Sequence, residues 1–81
     1  MKLQMYKRYI DVVALINQYG EIKPLIIVFD HQKYPIDKIL DIKQAHSQVG
    51  GSGIRYRCRI QNQERNLFLE KNRWFIESTK P

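Results

Sequence analysis

Hydrophobic and polar residues alternate in short runs along this chain. The clearest run is Ile54-Arg55-Tyr56-Arg57-Cys58-Arg59-Ile60, with apolar or aromatic residues at every second position and arginines between them. A period of two marks a half-buried β-strand, and it sets the guanidiniums of Arg55, Arg57 and Arg59 about 7 Å apart in a row on one face. Upstream, 8–16 is rich in Val and Ile and apolar on both faces. It ends at Asn17-Gln18-Tyr19-Gly20, where Gly20 can take positive φ. A second β-branched run, 22–29, is interrupted only by Pro24, which cannot donate to a ladder, so this strand is expected to begin at a sheet edge or beyond the pairing there. The run from Lys33 to about Ala45 reads as one bent or bulged strand. Ile36, Ile39 and Leu40 also suit a single helical turn, but Pro35 and the short length oppose helix nucleation.

The Gly- and Ser-rich stretch 47–53 reads as a flexible turn, followed by strands over 53–61, 65–70 and 73–77. With Asn62-Gln63 as a two-residue hairpin loop, Cys58 faces Leu67, Tyr56 faces Leu69 and Arg55 faces Glu70. With Lys71-Asn72 as the next loop, Leu69 faces Trp74, Leu67 faces Ile76 and Phe68 faces Phe75. Both registers put Tyr56, Cys58, Leu67, Leu69, Trp74 and Ile76 in the core. A slip of one residue would invert every side chain and bury arginines, so the faces are well specified. Short strands at this spacing predict an all-β fold, a small antiparallel barrel or roll of five or six strands. The chain divides into a basic N-terminal arm over 1–8, a single β domain over 9–78 and a tail over 79–81.

Eighty-one residues give one domain that buries only about 60% of the surface its unfolded chain exposes. Fourteen Lys and Arg against eight Asp and Glu leave a net charge of +6, half of it in Lys2, Lys7 and Arg8. That excess favours polyanions, acidic protein surfaces or anionic lipid as partners, and it also serves solubility alone. Cys58, the single cysteine, has no internal disulfide partner, and the opening residues lack the apolar run of a secretory signal. A cytoplasmic protein is expected. The longest apolar run, Leu25 to Phe29, is far too short to cross a bilayer.

The face opposite the core is the chief functional candidate. Arg55, Arg57, Arg59 and Arg73 beside Phe68 and Phe75 would combine positive charge with flat apolar surface, as single-stranded nucleic acid requires. Three other uses of this face stay open: an acidic protein surface could dock there, a second copy could form a homodimer, or the face could bind nothing. In the last case Arg55 pairs with Glu70 while Arg57 lies over Phe68, or the N-terminal arm covers it.

No enzymatic constellation stands out, and a non-catalytic binding module without cofactor or metal is expected. Gly50-Gly51-Ser52-Gly53 lacks the Lys-Ser or Lys-Thr and the following helix of a phosphate-binding loop. Cys58 points inward between Tyr56 and Ile60, which suits an inert thiol rather than a nucleophile. His31 and His46 are far apart in sequence with no second cysteine to complete a zinc site. Asp30 and Asp37 sit at expected turns, where aspartates bond local backbone, and nothing marks Asp41 out.

The phrases Pro24-Leu25-Ile26-Ile27, Tyr34-Pro35-Ile36-Asp37-Lys38-Ile39-Leu40-Asp41, Gly53-Ile54-Arg55-Tyr56-Arg57-Cys58-Arg59-Ile60 and Arg73-Trp74-Phe75-Ile76-Glu77 resemble those of small uncharacterised bacterial proteins. The resemblance runs from Ile10 to Glu77. It implies a compact SH3-like β-barrel and carries no activity, cofactor or site residue.

Overall fold

The β-branched and alternating runs become seven antiparallel strands in the computed structural model, which describes residues 4–79. Lys2 of the expected arm and the last two residues of the expected tail lie outside the described residues. The strands are β1 (Tyr6–Ile16), β2 (Ile22–Phe29), β3 (Gln32–Pro35), β4 (Lys38–His46), β5 (Ser52–Ile60), β6 (Gln63–Glu70) and β7 (Arg73–Ser78). They form one sheet in the order β3-β2-β1-β7-β6-β5-β4, curled into a half-barrel. Among the described residues no helix is long and apolar enough to cross a membrane.

Seven strands replace the expected five or six because the run from Lys33 changes partner at Ile36-Asp37. Pro35 ends the ladder with β2, and the next two amides bond to different strands: Ile36 N–H donates to the Leu25 carbonyl at 2.9 Å, and Asp37 N–H to the Arg59 carbonyl at 2.9 Å. Leu25 belongs to β2 and Arg59 to β5, near opposite ends of the sheet, so this corner draws the two ends toward each other. A bulge between Ile39 and Asp41 then adjusts the register of β4 on β5.

The β5–β6 hairpin turns one residue earlier than expected. Gln61 (φ 51°) and Asn62 (φ 63°) form the loop, both left-handed as a type I′ turn requires, and Ile60 pairs with Gln63. Tyr56 therefore faces Leu67, Arg55 faces Phe68 and Ile54 faces Leu69. The expected register would have left Ile54 opposite Lys71; the observed one gives it an apolar partner. Partners move by two positions, so every side chain keeps its face. The β6–β7 hairpin turns at Lys71-Asn72, with Phe68 opposite Phe75 and Leu69 opposite Trp74.

Tyr56, Cys58, Ile60, Leu67, Leu69 and Trp74 meet Ile27 on the concave side, and half-buried Ile10, Val12, Ile22, Ile54 and Ile76 pack around them. The Trp74 and Tyr56 rings lie 5.2 Å apart, and the Tyr56 hydroxyl donates to the Ile22 carbonyl at 2.9 Å, so the aromatic centre of the core also holds the start of β2. Trp74→Ala should remove the largest side chain of this cluster and destabilise the fold by about 3 to 5 kcal/mol. Chemical denaturation followed by circular dichroism checks this; an unchanged midpoint would place Trp74 outside the core.

Candidate functional site

The convex face carries the residues singled out from the sequence, because β5, β6 and β7 alternate in phase. Arg55 pairs with Phe68, Arg57 with Asn66 and Arg59 with Glu64, while Phe68 pairs with Phe75 and Glu70 with Arg73. Arg57 and Arg59 are exposed, and their guanidiniums have no ion-pair or hydrogen-bonding partner among the described residues. Arg55 is half-buried, with its Nη2 3.6 Å from Asp41 Oδ2 and its Nε buried and unbonded. Arg73 lies 3.9 Å over the Tyr9 ring and donates to the Tyr9 hydroxyl at 3.1 Å.

The two phenylalanines are not a stacking platform. Phe68 and Phe75 stack on each other at 4.9 Å and are only 2% and 0% exposed, which corrects the expectation that they offer open rings to bases. Their cover comes from two segments. β1 reaches the sheet at Tyr6 and pairs with β7, with Tyr6 opposite Ser78 and Tyr9 opposite Phe75, so the end of the expected arm is itself strand. Tyr9 meets Phe75 edge-on at 5.9 Å, and the Lys7 ammonium sits 4.6 Å over the Phe75 ring. The second segment is the loop between β4 and β5. It crosses β5 and β6 to reach β7, where Glu77 Oε2 accepts from the Ser47 hydroxyl at 3.0 Å and the Gln48 amide at 2.8 Å. Gly51, with φ +82°, runs so close to the Glu70 carboxylate and the Lys7 ammonium that a Cβ there would collide with both, and a Cβ on Gly53 would strike the Leu69 carbonyl. The glycines let this strap lie flat on the sheet.

A small polar network closes the cover. Lys7 Nζ donates to Glu70 Oε2 at 2.9 Å, and the Tyr9 hydroxyl donates to Glu70 Oε1 at 2.7 Å. The hydrogen bond from Lys7, then that from Tyr9, hold the Glu70 carboxyl below its ordinary value of 4.5, against partial desolvation. Glu70 in turn raises Lys7 above 10.5. Arg8 leaves the arm by another route, lying 4.2 Å over Phe29 with Nη2 2.6 Å from Asp30 Oδ1.

The remaining chemistry-bearing residues are dispersed. Cys58 is fully buried and its thiol is pushed up to about 11 by desolvation, so little thiolate exists at neutral pH. Asp30 and His31 form the tight turn between β2 and β3, with φ 50° and 65°, and Asp37 accepts from the Gln61 amide at 3.2 Å. No group of three His, Cys, Asp or Glu side chains among the described residues could hold a metal ion. A groove of about 590 Å³ opens at one end of the concave side, between Ile27, Phe29, Tyr34, Ile60 and Ile76 with Arg65 at its rim.

A second surface has no counterpart among the residues picked from the sequence. β7 is only six residues long and pairs with β1 no further than Ile10, whereas β1 continues to Ile16. From Asp11 the side of β1 away from β2 has no partner strand, and from Ala14 onward, past the end of β3, β1 and β2 continue as a two-stranded ribbon, within a molecule 46 Å long and 25 × 21 Å across. Val13, Leu15, Ile16, Tyr19 and Leu25 are exposed on this ribbon, Ile16 by 67% and Tyr19 by 79%. The ribbon is firmly held at both ends. Asn17 Oδ1 accepts from the Tyr19 and Glu21 amides at 2.9 Å in its turn, and Pro24 is fully buried at its base. The two-faced apolar character of 8–16 was the signal available in the sequence, since a strand apolar on both faces needs cover on both.

No family model, curated protein or solved structure matches this chain.

Two outcomes follow from the covered convex face. Phe68→Ala should lower stability by about 3 to 5 kcal/mol, as loss of a buried ring does, and a variant with an unchanged denaturation midpoint would return Phe68 to the surface. Because the folded Glu70 carboxyl lies below its ordinary value, its contribution is complete above pH 4.5 and is lost as pH falls through the lowered value. Glu70→Gln should therefore be less stable at neutral pH and show a shallower loss of stability in acid; parallel acid-unfolding curves for the two proteins would remove Glu70 from that role.

Proposed function

We propose that this protein is a non-catalytic binding module that takes an extended segment of another polypeptide onto the free edge of β1. The observation that carries the reading is the bare edge from Asp11 to Ile16, where apolar side chains project to both faces and, on the side away from β2, no strand among the described residues pairs beyond Ile10. Strand addition needs unpaired backbone N–H and C=O groups held in extended geometry, with side chains alternating above and below to fill pockets on the partner. A ribbon fixed by Asn17, Pro24 and the Tyr56 hydroxyl is ordered before binding, which lowers the entropic cost of association. The same reading takes the curled sheet as an SH3-like barrel of the kind found in the bacterial proteins that the sequence resembles. It assigns the protein to the cytoplasm, supported by the lone buried thiol.

Nucleic acid is the second reading, and the observation favouring it is the exposed, unpaired state of Arg57 and Arg59. With Phe68 and Phe75 covered, that contact would be to phosphates alone, hence weak and steeply salt-dependent.

Amide-resolved NMR of the labelled protein separates the two. A capped peptide of alternating Val and Thr should shift the amides of residues 11–16 and few others. Absence of shifts there at about 1 mM peptide, a concentration that detects even weak association, would overturn the strand-addition reading. Shifts confined to Arg57, Arg59 and their neighbours on adding a single-stranded oligonucleotide at about 50 mM salt would transfer the function to the arginine row.

A further inference from the structure

Resting on the ribbon reading above, we propose that the segment received by the β1 edge is the β1 edge of a second copy of this chain, paired antiparallel about a two-fold axis at Ala14. Among the described residues the outer strands of the sheet and the rest of the ribbon are blocked against such pairing, and β1 from Val12 to Ile16 is not. β3, at one end of the sheet, is four residues long and ends in Pro35; β4, at the other, carries Lys38 and Lys43 and a bulge. On the ribbon itself, β2 runs unpaired by β3 before Ile26, but Pro24 has no N–H there, the Leu25 carbonyl accepts from Ile36, and the Ile22 carbonyl accepts from Tyr56. Short length, proline, lysine and bulges are the usual means of blocking edge pairing. β1 from Val12 to Ile16 has none of them: it reads Val-Val-Ala-Leu-Ile, without a charge.

The window available to a partner also fixes the register. It is closed on one side by the end of β7, where Ile10 pairs with Trp74, and on the other by the turn that begins at Asn17. Within it, pairing the five uncharged residues 12–16 of two copies antiparallel centres the ladder on Ala14, with Val12 opposite Ile16 and Val13 opposite Leu15. Each face of the new ladder is then apolar throughout. Asp11 comes beside Asn17 of the second copy and not beside its own counterpart, so the two-fold brings no like charges together. Leu15 and Ile16, now 53% and 67% exposed, gain cross-strand neighbours. The ladder is only five residues long in each copy, so the complex should be weak, with a dissociation constant between about 1 µM and 1 mM.

Sedimentation equilibrium across about 1 µM to 1 mM, the range of that constant, should show a monomer–dimer equilibrium. Ala14→Cys should oxidise to a covalent dimer, because the two thiols meet on the axis, while Val12→Cys and Ile16→Cys should cross-link only when mixed with each other. Buried Cys58 stays silent in all of them. Ala14→Asp, which sets two carboxylates face to face, should raise the dissociation constant at least tenfold while leaving the thermal unfolding of dilute monomer unchanged, since Ala14 is exposed. A protein that stays monomeric at the highest concentration overturns the proposal, as does cross-linking equally efficient at positions 12, 14 and 16 alone. If the peptide titration shifts residues 11–16 in a strictly monomeric protein, the second copy is excluded and the edge remains a site for a different polypeptide. If neither experiment engages those residues, both readings fall together.

Discussion

Phe68 and Phe75 stack at 4.9 Å on one side of the sheet while Leu67, Leu69 and Trp74 pack on the other, so the ladder between β6 and β7 is dry on both faces. Few ladders in so small a domain can be. A two-sided burial of this kind requires cover for the convex face, and the chain supplies it from two distant segments: the start of β1 and the strap between β4 and β5. That requirement explains why β1 pairs with β7 from Tyr6 onward and why glycines occupy positions 51 and 53, where a side chain would collide with what lies beneath. It also stops the stacking surface that the sequence suggests from existing.

The positive charge is spent in the same way. Lys7 is joined to Glu70, Arg8 to Asp30, and Arg73 to Tyr9, each over or beside an aromatic ring, so the guanidinium and ammonium groups act as the polar lids of apolar side chains. Cations placed over rings gain from the quadrupole while keeping part of their hydration. Arg57 and Arg59 remain as exposed members of the row, in a setting without aromatic neighbours to confer base stacking. A net charge of +6 is thus compatible with a protein whose chief exposed anomaly is apolar.

That anomaly has a simple origin in strand length. β1 has eleven residues and the two strands flanking it in the sheet have eight and six, so one side of β1 runs out of partner after Ile10 while β2 follows it to the tip. A two-stranded ribbon is marginal when isolated. Here it is secured to the body by Pro24 and by the Tyr56 hydroxyl on Ile22 and closed by the turn at Asn17, and the result is an edge open on the side away from β2 and uncharged from Val12 to Ile16.

Local alternation made most of the strands legible in the sequence. Residues 54–60 could only be a strand with arginines on one face, and the period of two decided the core residues from Tyr56 to Ile76 even though the β5–β6 turn lies one residue earlier than expected, because an even shift in partner preserves the face. Pro35 flagged trouble in the third run without showing that Ile36 and Asp37 would bond to different strands, since that depends on where β2 and β5 lie in space. Alternation along each central strand was enough to say which side faces the core. Which of the remaining side chains meet solvent emerges only in three dimensions, because exposure of Phe68, Phe75 or Leu15 depends on whether a segment from another part of the chain, or none at all, lies over it.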